Sequence, residues 1–155
     1  MPLHDEQRRR FCQATGLVLI GATLPGCGDA PPAMVDMLAC GPTSVGVGID
    51  ITSLTIGSAM YFQTGNGVNV FVCRDADGVF ALDAGCTHLG CDVMFVDAKS
   101  GFHCPCHGAT YDFNGDKPTP PAPKPLQHYL VCATVSGQAV VDINQVVDPS
   151  TRYKL

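Results

Sequence analysis

Two short stretches combine cysteine and histidine at spacings that suit metal ligation. The first is Cys86-Thr87-His88-Leu89-Gly90-Cys91 and the second is His103-Cys104-Pro105-Cys106-His107-Gly108. As ligands they give Cys-x-His, then fifteen residues, then Cys-x-x-His, with one further cysteine beside each half. Two thiolates and two imidazoles can bind a pair of irons, the thiolates on one iron and the imidazoles on the other. The spacing therefore predicts an iron–sulfur centre.

A zinc site of two cysteines and two histidines is the main alternative for the same donors. Zinc sites usually pair two cysteines two to four residues apart, whereas each half of this pattern mixes one cysteine with one histidine. A zinc site would also leave Cys91 and Cys106 without a role. A scaffold of disulfides alone would not need His88 and His107.

The remaining cysteines and histidines give weaker indications. Cys73 and Cys132 fall within predicted strands, where a small buried side chain is the default. Cys40 can pair with either of them, but sequence does not decide connectivity. His103 and His128, like His4, are interpreted as ordinary polar residues.

Composition bounds the kind of protein that holds these motifs. The chain has 155 residues, which allows one compact domain with a short appendage. Its net charge is −5 with 9 Lys and Arg, and its one basic run is Arg8-Arg9-Arg10, so nucleic acid is not an expected partner. Hydrophobic residues make up 46% and charged residues 15%, which excludes wholesale disorder.

The elements around the motifs are predicted to be short strands. Turn residues separate the predicted strands, and no long segment shows helical periodicity. They are Asn69–Arg74, Val79–Asp83, Val93–Val96, Gly101–Cys104, Ala109–Phe113, Tyr129–Val135 and Gln138–Ile143. This spacing favours an all-β fold, an antiparallel β-sandwich with a small subdomain that carries the motifs.

The N-terminal region is predicted to be a targeting signal. Arg8-Arg9-Arg10-Phe11 precedes an apolar stretch too short for an ordinary membrane span, and the arrangement resembles a twin-arginine export signal. Leu24-Pro25-Gly26-Cys27 resembles a lipoprotein cleavage box, which makes Cys27 a candidate lipidation site. The predicted organisation is a signal over 1–27, a flexible linker over 28–42, a domain over 43–145 and a tail over 146–155.

The pair CTHLGC and CPCHG resembles the Rieske iron–sulfur family, over about 45–143 of the chain. The resemblance implies one [2Fe–2S] cluster with Cys86 and Cys104 on the inner iron, and His88 and His107 on the outer iron. It also implies a disulfide between Cys91 and Cys106, of the kind found in high-potential members from quinol-oxidising complexes. Further implied roles are a shield against water for Leu89, tight turns at Gly90 and Gly108, and a covering loop at Pro120-Pro121-Ala122-Pro123.

The resemblance also implies how the reduction potential is tuned. High-potential members commonly carry a serine just after the second motif and a tyrosine two residues beyond it, and both hydroxyls donate to sulfur. This chain has Ala109 at the first position and Tyr111 at the second. We therefore expect a potential below that of relatives with the serine, which suits a low-potential donor such as menaquinol.

The implied function is one-electron transfer as part of a larger redox complex rather than as a stand-alone enzyme. The first interpretation is a subunit or carrier of an exported, membrane-associated complex like quinol–cytochrome c reductase. Its partners would be a cytochrome or an oxidase large subunit, and a quinol, with membrane association through a lipid anchor or a partner subunit on the periplasmic side. The alternatives are a small subunit of an exported oxidase of the arsenite-oxidase type, or a non-redox structural metal module.

Overall fold

The computed structural model describes residues 40–42 and 44–155. The predicted export signal, the candidate lipidation site at Cys27 and most of the predicted linker lie outside the described residues. Among the residues that the structure does describe, no helix is long and apolar enough to cross a membrane.

The described chain is built from short strands and one turn of 3-10 helix, Ile51–Ser53. The strands, in order, are β1 (Val45–Asp50), β2 (Ser58–Gln63), β3 (Asn69–Arg74), β4 (Val79–Asp83), β5 (Met94–Asp97), β6 (Gly101–His103), β7 (Thr110–Tyr111), β8 (His128–Ala133) and β9 (Gln138–Val146).

The strands form two antiparallel sheets of unequal size. The larger sheet has the order β1-β9-β8-β4-β3-β2, and the smaller has the order β5-β6-β7. The smaller sheet is made entirely from the chain between β4 and β8, which contains both Cys–His motifs. The prediction of an all-β antiparallel fold with a small subdomain is confirmed.

The larger sheet is buried on both faces at its centre. Along β3, Val70 and Val72 contribute to one hydrophobic core, while Phe71 and Cys73 contribute to a second core. Successive side chains of a strand point to opposite faces, so a continuous apolar run fits a strand covered on both sides. The second core also contains Phe102 of the smaller sheet, whose ring centroid lies 5.0 Å from that of Phe71. The small subdomain is therefore fixed to the larger sheet by aromatic packing.

The C-terminal segment, which shows no clear local pattern, packs against this sheet. Tyr153 and Val79 exchange two backbone hydrogen bonds of 2.8 and 2.9 Å. The guanidinium carbon of Arg152 lies 4.0 Å from the ring centroid of Phe80, and Arg152 Nε donates to Asp75 Oδ2 at 2.7 Å. Arg152 and Tyr153 thus pack against the turn between β3 and β4, and we call the segment that contains them the C-terminal strap.

A disulfide joins Cys40 to Cys132 of β8 across a sequence separation of 92. The backbone amide of Gly41 donates to Asp142 Oδ2 at 2.9 Å. Cys40 and Gly41 fall within the predicted linker, but the structure attaches them to the folded domain. Cys73 is a free and fully buried thiol, which is the default expected for a cysteine within a strand.

Candidate metal centre

Two loops with matching backbone hydrogen bonds carry the predicted ligands. In the loop between β4 and β5, the amide of Cys86 donates to the carbonyl of Cys91 at 2.8 Å. In the loop between β6 and β7, the amide of Cys104 donates to the carbonyl of Ala109 at 2.7 Å. Each cysteine therefore opens a closed turn whose far side lies five residues later, and the two loops present their first thiol in the same local setting.

Gly90 and Gly108 complete these turns in equivalent ways. Their amides donate back to the carbonyls of Cys86 and Cys104, at 2.8 and 3.0 Å. Their φ angles are +80° and +81°, a region that side chains with a Cβ rarely adopt. Nothing lies within 4 Å of an added Cβ at either position, so the backbone conformation and not crowding calls for glycine.

The thiols of Cys86 and Cys104 lie at the buried end of the two loops, 3% and 1% exposed, and they are near enough to influence each other's pKa. Burial raises the pKa of Cys104. Burial also acts to raise the pKa of Cys86, but hydrogen bonds from the Tyr111 hydroxyl and the His88 amide outweigh it and lower the pKa overall. Because the thiolate is the form that binds metal, these donors favour ligation by Cys86.

The imidazoles of His88 and His107 lie together, with ring centroids 4.7 Å apart and planes at 88°. His107 is exposed and His88 is half-buried. The buried Nδ1 of His88 has no hydrogen-bond partner. A buried ring nitrogen without a partner is costly, so a ligand at this atom would satisfy it.

Cys91 and Cys106 form a disulfide between the two loops, the pair that the family resemblance implied. Their separation in sequence is 15 residues. Cys106 directly precedes His107, so the bond links the two loops next to a predicted ligand. The loop between β4 and β5 also carries Leu89, which is 71% exposed.

The hydroxyl of Tyr111 lies in a small network under the first loop. It is 3.4 Å from Cys86 Sγ, and it accepts a hydrogen bond of 3.1 Å from the Thr87 amide. Burial raises the pKa of Tyr111, so the hydroxyl keeps its proton and can donate. Ala109 is fully buried beside the second loop and offers no such donor.

The proline-rich segment approaches both loops. The carbonyl of Lys124, directly after it, accepts from the Thr87 hydroxyl at 2.8 Å. At its other end, Thr119 donates through its amide to the carbonyl of Thr110 at 2.9 Å. This segment therefore lies as a third loop against the two that carry the ligands.

Reasoning from the sequence missed the contacts of two polar residues, Thr87 between the predicted ligands and His128 at the start of β8. Thr87 lies between two predicted ligands, yet nothing local indicated that it bonds a tyrosine 24 residues away. His128 was interpreted as an ordinary polar residue, but it is 2% exposed and its Nε2 donates to the carbonyl of Asn114 at 2.8 Å. His128 begins β8, and the apolar residues that follow it in that strand were the only hint of burial.

The donors suit a binuclear cluster in which each iron takes two protein ligands. Two neighbouring thiols lie on one side, and two adjacent imidazoles with an unsatisfied nitrogen lie on the other. In the described residues, no group of three or more His, Cys, Asp or Glu side chains is placed to hold a single metal ion.

Comparisons with known proteins agree with this chemistry. A sequence profile of the Rieske [2Fe-2S] domain matches residues 52–130. The cytochrome b6-f complex iron-sulfur subunit of Chlorobaculum tepidum is 37% identical over 149 residues, which cover 90% of this chain and 77% of that protein. The corresponding subunit of Chlorobaculum thiosulfatiphilum is 35% identical over 99 residues, 59% of this chain. The matched region spans about half, 54%, of that relative's length.

Solved structures show the same fold. A chain from the complex of reduced oxygenase and oxidized ferredoxin in carbazole 1,9a-dioxygenase aligns with a TM-score of 0.53 and 19% identity. The alignment covers 68% of this chain and 96% of that one. The predictions of family, fold and cofactor are confirmed by these matches. The chain belongs to the Rieske [2Fe-2S] domain family, and its cofactor is one [2Fe–2S] cluster.

Proposed function

We propose that this chain is the iron–sulfur subunit of an exported, membrane-associated complex that oxidises a quinol and passes the electron to a cytochrome. The observation that carries the proposal is the polarity of the two loops. The thiols of Cys86 and Cys104 lie at the buried end, and the rings of His88 and His107 meet at the end where His107 is exposed.

This polarity supports the ligand assignment that the family resemblance implies. Cys86 and Cys104 hold the inner iron, and His88 and His107 hold the outer iron. Burial of the two thiols keeps water from the sulfur side, and the disulfide between Cys91 and Cys106 fixes the distance between the loops. The exposed ring of His107 is then the group nearest to a partner molecule.

The exposed imidazole also gives a route for a proton. When bound, the cluster supplies one-electron redox chemistry. An imidazole that binds metal through one ring nitrogen keeps the other for hydrogen bonding. In His107 this second nitrogen is exposed, so it can hydrogen-bond a hydroxyl group of a bound molecule, and it takes up the hydroxyl proton only in the form that has lost its own. A quinol loses both an electron and a proton, so its chemistry suits this end of the molecule.

The small number of hydroxyl groups that can hydrogen-bond to sulfur favours an electron donor of low reduction potential. Tyr111 lies within hydrogen-bonding distance of Cys86 Sγ, whereas Ala109 has no hydroxyl. Hydrogen bonds to sulfur favour the more negative, reduced form of a cluster. With one donor instead of two, the chain is suited to menaquinol.

The N-terminal pattern supports export and attachment to a membrane. The twin-arginine-like run and the candidate lipidation site at Cys27 lie before the described residues. The Chlorobaculum tepidum relative, which matches along 90% of this chain, is a subunit of a cytochrome b6-f complex. The disulfides Cys40–Cys132 and Cys91–Cys106 suit an oxidising compartment.

Redox-titrated electron paramagnetic resonance of the loaded protein tests the ligand assignment. Wild type reduced by dithionite should give the signal of one [2Fe–2S] cluster with mixed thiolate and imidazole ligation. His107→Gln should abolish or alter that signal. His103→Gln is the matched control, because His103 lies beside Cys104 and outside the ligand set, and its signal should equal that of wild type. An unchanged spectrum in His107→Gln would overturn the assignment.

Purification from native membranes tests the assembly. Copurification of a b-type cytochrome, with reduction of the cluster by a menaquinol analogue, supports the proposed complex. Copurification with the large subunit of an oxidase instead would assign the chain to the arsenite-oxidase type of assembly. Zinc in place of iron, with no paramagnetic signal, would contradict both.

A further inference from the structure

We propose that Thr87 is a positioning residue that competes with Cys86 for the single proton of the Tyr111 hydroxyl, and that it thereby lowers the reduction potential. This inference rests on the proposed ligation by Cys86. It concerns a side chain between two ligands that is itself no ligand.

The geometry leaves the tyrosine proton two destinations. The Tyr111 oxygen lies 3.4 Å from Cys86 Sγ and 3.1 Å from Thr87 Oγ1. Both lengths fall within hydrogen-bonding distance, because sulfur is larger than oxygen. The Tyr111 oxygen also accepts from the Thr87 amide at 3.1 Å, which fixes it between the two acceptors. Tyr111 is 1% exposed, so water does not provide a third acceptor.

The hydroxyl of Thr87 can only accept from Tyr111. Its own proton is donated to the carbonyl of Lys124 at 2.8 Å, and a carbonyl oxygen has no proton to return. Thr87 Oγ1 therefore has lone pairs for Tyr111 but no proton for it. The third loop, through Lys124, holds Thr87 as an acceptor.

The two destinations respond differently to an added electron. A charged acceptor forms a stronger hydrogen bond than a neutral one. Negative charge on the ligand sulfur of Cys86 grows on reduction, whereas Thr87 stays neutral in both states. The proton is therefore shared with Thr87 in the oxidised protein and drawn to Cys86 in the reduced protein. Because Thr87 stabilises the oxidised state selectively, it opposes the effect of Tyr111.

Thr87→Val tests this competition by removing the acceptor while keeping the shape of the side chain. We expect the equilibrium constant for reduction to rise about two- to fivefold, the worth of one ordinary hydrogen bond. That is an upward shift of roughly 20–40 mV for one electron. Tyr111→Phe should shift the potential downward. Thr87→Ser, which keeps the hydroxyl, is the matched control and should remain at the wild-type value.

The double variant separates this competition from a looser third loop, which would let water reach the cluster and also raise the potential. If Thr87 acts through the tyrosine proton, adding Thr87→Val to Tyr111→Phe should leave the potential of Tyr111→Phe unchanged. An equal rise in both backgrounds would overturn the proposal. No rise in the wild-type background would overturn it as well.

A spectroscopic reading keeps the test independent of the variants' stability. Isotope-edited infrared difference spectra of wild type, with Tyr111→Phe as the reference, report the hydrogen bonding of the Tyr111 hydroxyl. Its C–O–H band should shift between the oxidised and reduced protein, and no shift would contradict the proposal. Loss of the cluster signal in wild type would instead contradict the proposed function, so the two failures are distinct.

Discussion

At the scale of the residue, Ala109 is a fully buried methyl group at the position where high-potential relatives commonly carry a serine that donates to sulfur. We expect Ala109→Ser to raise the reduction potential, because the added donor stabilises the reduced form more than the oxidised form. One such bond of about 1 kcal/mol corresponds to roughly 40 mV for one electron. Protein-film voltammetry of the loaded protein measures the shift directly.

Ala81→Ser provides the control for burying a hydroxyl. Ala81 is also fully buried, but it belongs to the core on the opposite face of the larger sheet. This variant should lower stability and leave the potential unchanged. A potential that does not rise in Ala109→Ser, or that rises equally in both variants, would contradict the tuning role of this position.

His128 makes folding stability depend on pH at the scale of one side chain. Burial lowers its pKa from 6.5, and the nearby Arg152 also lowers it, while the bond to Asn114 and the charges of Asp116 and Asp148 oppose the change. Below pH about 6.5 the unfolded chain therefore binds more protons at this histidine than the folded chain, so stability falls as the pH falls. Acidification from pH 7 to 5 should lower the thermal midpoint.

His128→Gln isolates this contribution. Glutamine retains an N–H donor for Asn114 and does not titrate in this range. The difference in thermal midpoint between wild type and His128→Gln should shrink or reverse as the pH falls from 7 to 5. A difference that stays constant with pH would show that His128 does not titrate differently in the folded and unfolded states.

At the scale of the element, the strands that could be predicted were those with a strong local pattern. The hairpin Asn69–Arg74 and Val79–Asp83 was predicted with the bounds the structure shows, because two apolar runs flank a turn ending in glycine. Strand β1 was not predicted, since Gly46 and Gly48 alternate with its apolar residues and glycine disfavours strands. In the structure these glycines face outward while Val47 and Ile49 are buried.

The centre shows the same division between local and distant information. The spacing of Cys86, His88, Cys104 and His107 is local to each loop, so the sequence alone predicted a candidate ligand set. The bond between Thr87 and Tyr111 and the disulfide partner of Cys40 depend on strand pairing, which no local pattern encodes. The packing of the C-terminal segment also depends on tertiary contacts, because nothing within the segment is periodic.

The C-terminal strap is an element whose energetics centre on Arg152. Its side chain is 8% exposed, and it bonds Asp75 and, at 2.6 Å, Asn114 Oδ1. Arg152→Ala would leave the Asp75 carboxylate without its partner and remove the contact with Phe80. We expect a loss of about 2–4 kcal/mol, measured as a fall of the thermal midpoint by roughly 10 °C.

Lys154→Ala is the matched control for the strap. Lys154 also carries a positive charge near the C-terminus, but it is exposed, and its ammonium group donates to the backbone carbonyl of Asp77. Exposed charges contribute little, so this variant should remain within about 0.5 kcal/mol of wild type. Equal effects of the two substitutions would show that Arg152 does not fix the strap.

Across the described chain, the two disulfides are expected to differ in what they stabilise, one the fold and the other the metal centre. Cys40–Cys132 closes a separation of 92 residues at the larger sheet, whereas Cys91–Cys106 closes one of 15 at the metal centre. Replacing Cys40 and Cys132 by serine should cost about 2–4 kcal/mol of stability, because a long loop is released in the unfolded chain. The potential and the spectrum of the cluster should not change.

Replacing Cys91 and Cys106 by serine should give the opposite profile. The loops that carry the ligands would lose their link, so the cluster should be lost faster on storage and its spectrum should change. The rate of decay of the visible absorbance distinguishes the two pairs. If both pairs accelerate that decay to the same extent, the disulfides do not divide between scaffold and centre as proposed.

The close approach of Cys86 and Cys104 has a consequence for the order of biosynthetic steps. Four sulfur atoms lie in two facing loops, of which two are joined and two are free. The free pair lies in the same buried region, so an oxidant that reached the loops before iron could attack these two thiols as well. Such a molecule would be locked in a form that can no longer take up metal. Iron and sulfide must therefore arrive while the thiols are still reduced, and the bound cluster then protects the very atoms that an oxidising surrounding would consume.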